Sequence, residues 1–312
     1  MIGVRSEQGK ELRGDLVVDT MGRRSPLGRL MSEAGLRPPR EEVEGVGLRC
    51  YARHFRARDG GPPPVAFLPL GSVILLRFPC DNGSWSVTIV ALDEDRALFG
   101  LRDEKRWSAA VRSVPGPAHW LDGEPVEDHV VTIAGVEDRF RELVLDGRPV
   151  ASGVVAVGDA WSCTNPTLGR DGSLTPAHAQ LLRDQLRAVD LDDPVAFAHG
   201  FHRATAEERY PWLAWARQSH RHPRAAIRGQ LGGPRHHPDD DARAGENALV
   251  LAARHDPDCL RALVRARPLL ASLDEATREP GLRERAFALA REAGAGPLPG
   301  PSREALVAIA HP

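Results

Sequence analysis

Apolar positions near the start of the chain come in short β-branched groups separated by charged turns. Gly3-Val4-Arg5 leads through Glu7-Gln8-Gly9-Lys10-Glu11 into Leu12-Arg13-Gly14-Asp15-Leu16-Val17-Val18-Asp19. The pattern predicts two strands around a tight turn, the second carrying a buried Leu-Val-Val core. Such a hairpin suits the middle of a domain better than its beginning. From about residue 46 to 90 the pattern stays strand-like. Val46–Arg53 alternates roughly by two, and Val65–Leu68, Val73–Phe78 and Trp85–Val90 follow, divided by Gly, Pro, Asn and Asp. Asp81-Asn82-Gly83 is a hairpin signal, so a mostly antiparallel sheet of roughly three or four strands is expected.

Period-3.6 patterns take over elsewhere. Trp107, Ala110, Val111 and Val114 predict a helix over 102–121. Val154-Val155-Ala156-Val157 reads as a strand that ends at Gly158-Asp159-Ala160. After a polar loop bearing Pro and Gly, Leu174, Ala177, Leu181, Leu182, Leu186 and Val189 share one helical face, with Pro176 where a first turn tolerates it. Beyond residue 195 the chain reads as helical and arginine-rich, broken at Gly232-Gly233-Pro234 and Pro297–Pro301. Helices are expected over 241–254, 257–273, 281–294 and 302–310.

Composition narrows the class without choosing within it. The 312 residues suffice for one large domain or two to three smaller ones, and 42% hydrophobic with 27% charged residues is ordinary for a globular protein. A net charge of -2 supplies no basic field for nucleic acid and no polybasic membrane anchor. Apolar runs such as Val154–Val157 are too short to span a bilayer. The initial Met-Ile-Gly-Val-Arg-Ser-Glu lacks the apolar core of a signal peptide, so the cytoplasm is the expected compartment. Cys50, Cys80, Cys163 and Cys259 are scattered without a C-x-x-C pair, which indicates neither zinc nor disulfides. His199 with His202, His220 with His222, and His236-His237 read as surface histidines, and no metal is expected.

Two motifs carry chemistry. In Asp15-Leu16-Val17-Val18-Asp19-Thr20-Met21-Gly22-Arg23-Arg24-Ser25 a buried strand ends in an acid, a glycine turn and two arginines. That places charge at a strand's carboxyl end, where ligands of open α/β sheets sit; a strand leaving the core through a charged turn is the plainer account. The second motif runs Val154-Val155-Ala156-Val157-Gly158-Asp159-Ala160-Trp161, then through Pro166, Gly169, Asp171 and Gly172 into the helix. Gly158 lets the backbone pass close to a ligand, Asp159 is placed to accept from sugar-like hydroxyls, and the helix start favours negative charge or electron-rich atoms. Strand, Gly-Asp-Ala, Pro-x-x-Gly and helix in this order is the more specific signal.

The second motif resembles the Gly-Asp-Ala…Pro-x-x-Gly signature of FAD-dependent hydroxylases related to para-hydroxybenzoate hydroxylase. The first is similar to that family's Asp-x-x-Gly-Arg-x-Ser element. The resemblance covers residues 1–190 well and the remainder loosely. It implies that Asp159 contacts the flavin ribitol, that Gly158, Ala160, Pro166, Gly169 and Gly172 belong to the loop beside the isoalloxazine ring, and that Asp19, Gly22, Arg23 and Ser25 lie near cofactor. The family also begins with a strand and a Gly-x-Gly-x-x-Gly turn; this chain has neither, and its first residues match a stretch well inside the fold. Asp171 stands at the family's second glycine. Near the flavin its charge would oppose the anionic reduced form; otherwise it points away. Trp161 reads either as stacking on flavin or substrate or as capping the core. Arg53 and Arg77 either face a substrate carboxylate or are solvated on the sheet. A Gly-x-Ser-x-Gly elbow is absent, which argues against a hydrolase.

The expected fold class is α/β, α+β in this chain: a partial FAD-binding domain from 1–45 and 150–190, a substrate-domain sheet plus helix over 46–149, and a C-terminal helical region over 191–312. The resemblance implies FAD as cofactor and NAD(P)H as co-substrate. Reduced flavin would react with oxygen to hydroxylate or epoxidise an organic small molecule. The alternatives are a non-catalytic truncated or degenerate flavoprotein fragment, and a flavin-dependent reductase of isoprenoid double bonds.

Overall fold

The computed structural model describes residues 3–58, 64–165, 170–234, 241–266, 271–293 and 300–311. The predicted hairpin is present in part: β1 (Gly3–Arg5) and β2 (Glu11–Arg13) pair antiparallel with Val4 opposite Leu12, but β2 is exposed, and the Leu-Val-Val run expected as its buried core leads into a separate strand in which Val18 is exposed. Then come β3 (Val17–Asp19), a 3-10 turn at Gly22–Arg24, α1 (Leu27–Glu33) and β4 (Arg40–Gly45). The sheet strands are β5 (Leu48–Arg56), β6 (Ala66–Pro69), β7 (Ile74–Pro79) and β8 (Ser84–Leu92), followed by α2 (Glu104–Arg112). Short strands succeed them: β9 (Glu124–Pro125), β10 (Val131–Ile133), β11 (Glu137–Glu142), β12 (Val144–Leu145), β13 (Arg148–Pro149), β14 (Val154–Ala156) and β15 (Ser162–Cys163). Helices close the chain: α3 (Asp171–Ala188), α4 (Pro194–Gln230), α5 (Asp241–Ala252), α6 (Pro257–Ala266), α7 (Leu273–Ala276), α8 (Leu282–Ala293) and α9 (Arg303–Ala310). The mixture of helix and sheet is that of an α/β or α+β protein. Among the described residues no helix is long and apolar enough to cross a membrane.

The chain divides into two compact units, residues 1–47 with 135–223 and residues 48–134 with 224–312. The first unit thus takes in 135–149 and 191–223 beyond the expected flavin-domain segments. The cause is pairing and packing: β11 lies between β4 and β15, while Phe197, Phe201 and Leu213 of α4 enter its cores. Helices after residue 223 group instead with the antiparallel sheet.

In the second unit the sheet has six strands, in the order β10-β5-β8-β7-β6 with β9 also on β5. Its inner face buries Tyr51, Phe55, Trp85 and Ile89 against Trp107 and Val111 of α2 and Leu306 of α9. α2 begins where the Asp103 side chain accepts from the amides of Lys105 and Arg106. The helix expected over 102–121 ends at Arg112, because Pro115 lacks an amide donor and Gly116 adopts φ 95°; a 3-10 turn at Pro117–Leu121 follows. Of the helix expected over 257–273, α6 covers Pro257–Ala266, residues 267–270 lie outside the described residues, and α7 starts afresh with a capping box between Ser272 and Glu275.

In the first unit β3 and β14 form a parallel pair whose Val154, Val155 and Ala156 are all buried, the continuous apolar run that parallel pairing requires. β11 was not legible as a strand, since five of its six residues are charged. Complementary charges on β4 account for it: Arg139 and Arg141 both reach Glu41 at 2.7 Å, and Arg40 pairs with Glu142. α3 starts three residues before Leu174, so Pro176 lies inside it and leaves the Gly172 carbonyl without its helical donor. Its buried stripe centres on His178 and Leu182, while Ala177 and Leu186 are exposed. His220, expected at the surface, is buried on α4, 3.1 Å from Asp138 and 3.6 Å from Glu44. His236-His237 lie outside the described residues.

Candidate functional site

The two motifs meet at the ends of the parallel pair. Val17, Val18 and Asp19 sit opposite Val154, Val155 and Ala156, and the Val157 amide donates to the Asp19 carbonyl at 3.0 Å. Each strand then turns through a glycine in the left-handed region, Gly22 at φ 73° and Gly158 at φ 62°. A Cβ placed on Gly22 would lie 4.0 Å from the Asp159 Cβ, and one on Gly158 would strike Thr175 Cγ2 at 2.6 Å. Glycine at 158 is therefore demanded by both backbone and space.

The acids on the two turns have different surroundings. Asp19 is 3% exposed, and its carboxylate accepts from the Met21 amide at 2.9 Å and the Ser25 hydroxyl at 2.5 Å. Ser25 in turn accepts from the Leu27 amide at 3.1 Å, so Asp19 braces the Gly22–Arg24 turn and the start of α1. Asp159 is half-buried, and the bond shown to its carboxylate is a long one from the Thr175 hydroxyl at 3.4 Å. Among the described residues most of its acceptor capacity is unused. Ala160 is fully buried in the 3-10 turn Gly158–Ala160.

Two residues outside the sequence-based set, Arg141 and His178, hold this corner together. Arg141 donates to the Ala160 carbonyl at 2.8 Å and the Arg23 carbonyl at 3.0 Å, linking the two turns. His178, fully buried on α3, accepts the Gly158 amide at Nδ1 across 3.2 Å, and its Nε2 lies 3.2 Å from the Thr205 hydroxyl of α4. Burial, with the Arg209 charge adding to it, pushes the His178 imidazole down to about 4. Arg209 lines a small cavity of about 20 Å³ of mixed lining together with Trp161, Thr164, Asp171, Leu174 and Leu213, room for about one water. Burial lowers Arg209 to about 10, opposed by the charge of Asp171.

Asp171 accepts from the Thr164 hydroxyl at 2.6 Å at the first position of α3. Burial raises its carboxyl above the usual range, with the Thr164 bond opposing. Trp161 caps the core: it meets Phe140 edge-on at 5.2 Å and His178 at 5.1 Å. Gly172 is exposed with open space around it, so no close approach there requires a glycine. Pro166 and Gly169 lie outside the described residues. Burial first, then Asp159 and Asp171, lift the Cys163 thiol to about 11, which leaves it protonated and poorly nucleophilic at neutral pH.

Arg23 is half-exposed, its Nη2 3.4 Å from the Gly135 carbonyl, and Arg24 is exposed. Both line a basin of about 520 Å³ with Arg29, Arg139, Arg141 and Glu41. Guanidinium groups outnumber carboxylates there, so its field is positive. Arg53 and Arg77 belong to the second unit, where both are buried. Arg53 donates to Glu104 at 2.7 Å and to the Glu127 carbonyl at 3.1 Å, while Arg77 donates to the Pro64 carbonyl at 2.8 Å and covers the Trp120 ring.

One unit carries parallel strands ending in paired glycine turns and the other a six-stranded antiparallel sheet, and the fold is like that of solved FAD-dependent monooxygenases. Among solved structures, the chain is similar to PqsL, a probable FAD-dependent monooxygenase from Pseudomonas aeruginosa, with TM-score 0.53 and 19% identity over 74% of this chain and 63% of that one. It is equally similar to a variant of Klebsiella pneumoniae HpxO complexed with FAD, with TM-score 0.53 and 15% identity over 73% of this chain and 57% of that one. At these identities the likeness is one of fold. In sequence, Protein Rv3254 of Mycobacterium tuberculosis is 27% identical over 225 residues, 68% of this chain and 45% of that protein. The chain therefore spans less than half the length of that relative. No protein-family model matches the chain.

Proposed function

We propose that this chain is a flavin-dependent oxidoreductase that holds FAD where β3 and β14 end side by side, and that with NAD(P)H and oxygen it oxidises a small organic molecule. The observation that carries the reading is the apposition of the Gly22 and Gly158 turns, with the Asp159 carboxylate between them and largely free to accept. A polyol needs such an acceptor, and it needs backbone unobstructed by side chains. Asp19 and Arg141 keep the two turns in place without occupying that space. The Arg23–Arg24–Arg29 side of the basin offers the positive field that the diphosphate of a dinucleotide co-substrate favours. When bound, FAD supplies two-electron redox chemistry between NAD(P)H, oxygen and substrate. This chain's residues supply binding, orientation and shielding: Trp161 and Phe140 close the apolar side of the corner. Asp171 accepts from the Thr164 hydroxyl, and burial holds its carboxyl above the usual carboxylate range.

Titration of FAD into the purified chain tests the reading. Saturable binding to one site is expected, weakened roughly tenfold or more in Asp159→Ala, the loss of one or two buried hydrogen bonds to the ligand. No binding to the wild-type chain, or unaltered affinity in the variant, overturns the assignment.

A further inference from the structure

The structure assigns to His178 a role that no sequence motif announces: we infer that it is the positioning residue for the Gly158–Asp159 turn, holding the Gly158 amide and so the direction in which Asp159 presents its carboxylate. The inference rests on the reading of that turn as a ligand site. Gly158 opens a 3-10 turn, and the first amides of a helical turn have no acceptor within it. In most proteins water or a capping side chain takes them. Here the strand end is buried, Val157 makes no side-chain cap, and the imidazole Nδ1 supplies the acceptor at 3.2 Å.

Acceptance at Nδ1 fixes the tautomer. The ring proton then sits on Nε2, where the Thr205 hydroxyl, 3.2 Å away on α4, receives it. The ring plane is fixed as well, stacked on Phe201 at 5.3 Å and 11° and met edge-on by Trp161 at 5.1 Å. On its other flank Thr175 closes against Gly158, so two side chains of α3, three residues apart, grip the turn from amide and α-carbon. A rotation of the Gly158 peptide would carry the backbone of Asp159 with it, and His178 is what opposes that rotation.

Three substitutions separate this role from simple filling of space. In His178→Leu the volume remains and the acceptor is lost. Asn can place its carbonyl oxygen near the position of Nδ1, whereas Gln reaches toward that of Nε2. Expected for His178→Leu are exchange of the Gly158 amide with solvent roughly tenfold faster or more, and FAD affinity lower by a similar factor, the consequence of a buried donor left unpaired. His178→Asn should restore most of both, and His178→Gln neither. If affinity instead tracks melting temperature across the three variants, irrespective of where the acceptor sits, the residue merely fills the core and the inference fails. Should the wild-type chain bind no FAD, the ligand reading falls on its own. The amide then decides: unchanged Gly158 protection in His178→Leu overturns the positioning role, and lost protection regained in His178→Asn sustains it.

Discussion

Arg141 donates to the carbonyl oxygen of Ala160 at 2.8 Å, from a strand that sequence pattern did not reveal. Through the Arg23 and Ser25 carbonyls and the Glu41 carboxylate the same guanidinium ties the Ala160 turn to the Gly22–Arg24 turn and to β4. The donors of a planar fork point in fixed, separated directions that the compact ammonium of a lysine does not reproduce.

Replacement of Arg141 by Met should therefore destabilise the protein by about 2–4 kcal/mol, because it leaves a buried acceptor unpaired and removes the buried half of an ion pair whose other member, Glu41, is exposed. The loss should fall toward the lower end, since Glu41 retains Arg139 at 2.7 Å. Arg141→Lys should recover only part of it. Urea denaturation of the three proteins measures the series; a Lys variant as stable as wild type would show that the fork geometry is irrelevant.

Gly158→Ala asks for two things the turn refuses. The added methyl would meet Thr175 Cγ2 at 2.6 Å, and φ 62° disfavours any L side chain. Left-handed strain costs about 1–2 kcal/mol, and overpacking adds about 1–3 kcal/mol. Thr175→Ala should relieve the second component alone. The double variant is thus expected to be more stable than Gly158→Ala by about 1 kcal/mol or more in thermal or chemical unfolding. If the double variant gains nothing, the Thr175 contact does not limit the turn.

Acid should loosen the corner before it unfolds exposed parts of the chain. The His178 imidazole falls from 6.5 to about 4 through burial first and the Arg209 charge second. Between those values the unfolded chain binds the proton and the folded chain does not, so stability rises with pH across this window and is lost as pH falls through it. A displacement of that size corresponds to roughly 3 kcal/mol by linkage. His178→Asn cannot titrate there and should show a flatter stability curve between about pH 4 and 6.5. Parallel curves for the two proteins would place the acid sensitivity elsewhere.

Legibility in the sequence followed from how far each signal depends on its partner. Val154–Ala156 is apolar in itself, and its Gly-Asp turn carries its own geometry, so both could be read before their neighbours were known. β11 could not: Glu137–Glu142 becomes a strand only because Glu41, Glu42 and Arg40 wait opposite. His178 was hidden in a different way. It occupies the centre of α3's buried stripe, four residues after Leu174 and four before Leu182, where an apolar count sees an interruption. A polar residue at an apolar position of a helix that follows a Gly-Asp turn was the available clue. The over-long helix after residue 102 has a simpler lesson, since Pro115-Gly116 stood in plain sight and backbone chemistry outweighed periodicity.

The positive basin can be tested apart from the proposed flavin site. Arg139 and Arg141 are poor choices for that, because both are tied into the β4–β11 pairing and their loss would disturb the sheet. Arg24 and Arg29 are exposed, and the Arg29 partner, Glu33, forms an exposed pair on the same helix at 2.8 Å, which is worth little. Alanine at either position should leave folding and FAD content intact while raising KM for NAD(P)H by about two- to fivefold, the scale of one partly screened charge contact. The double variant should multiply the two factors and flatten the dependence of KM on salt, since fewer charges remain to be screened. Rates of flavin reduction at saturating NAD(P)H should not change, because these side chains act on encounter and hold rather than on hydride transfer. A fall in kcat with KM and its salt dependence untouched would mean that the phosphates of the co-substrate bind somewhere other than beside Arg24 and Arg29.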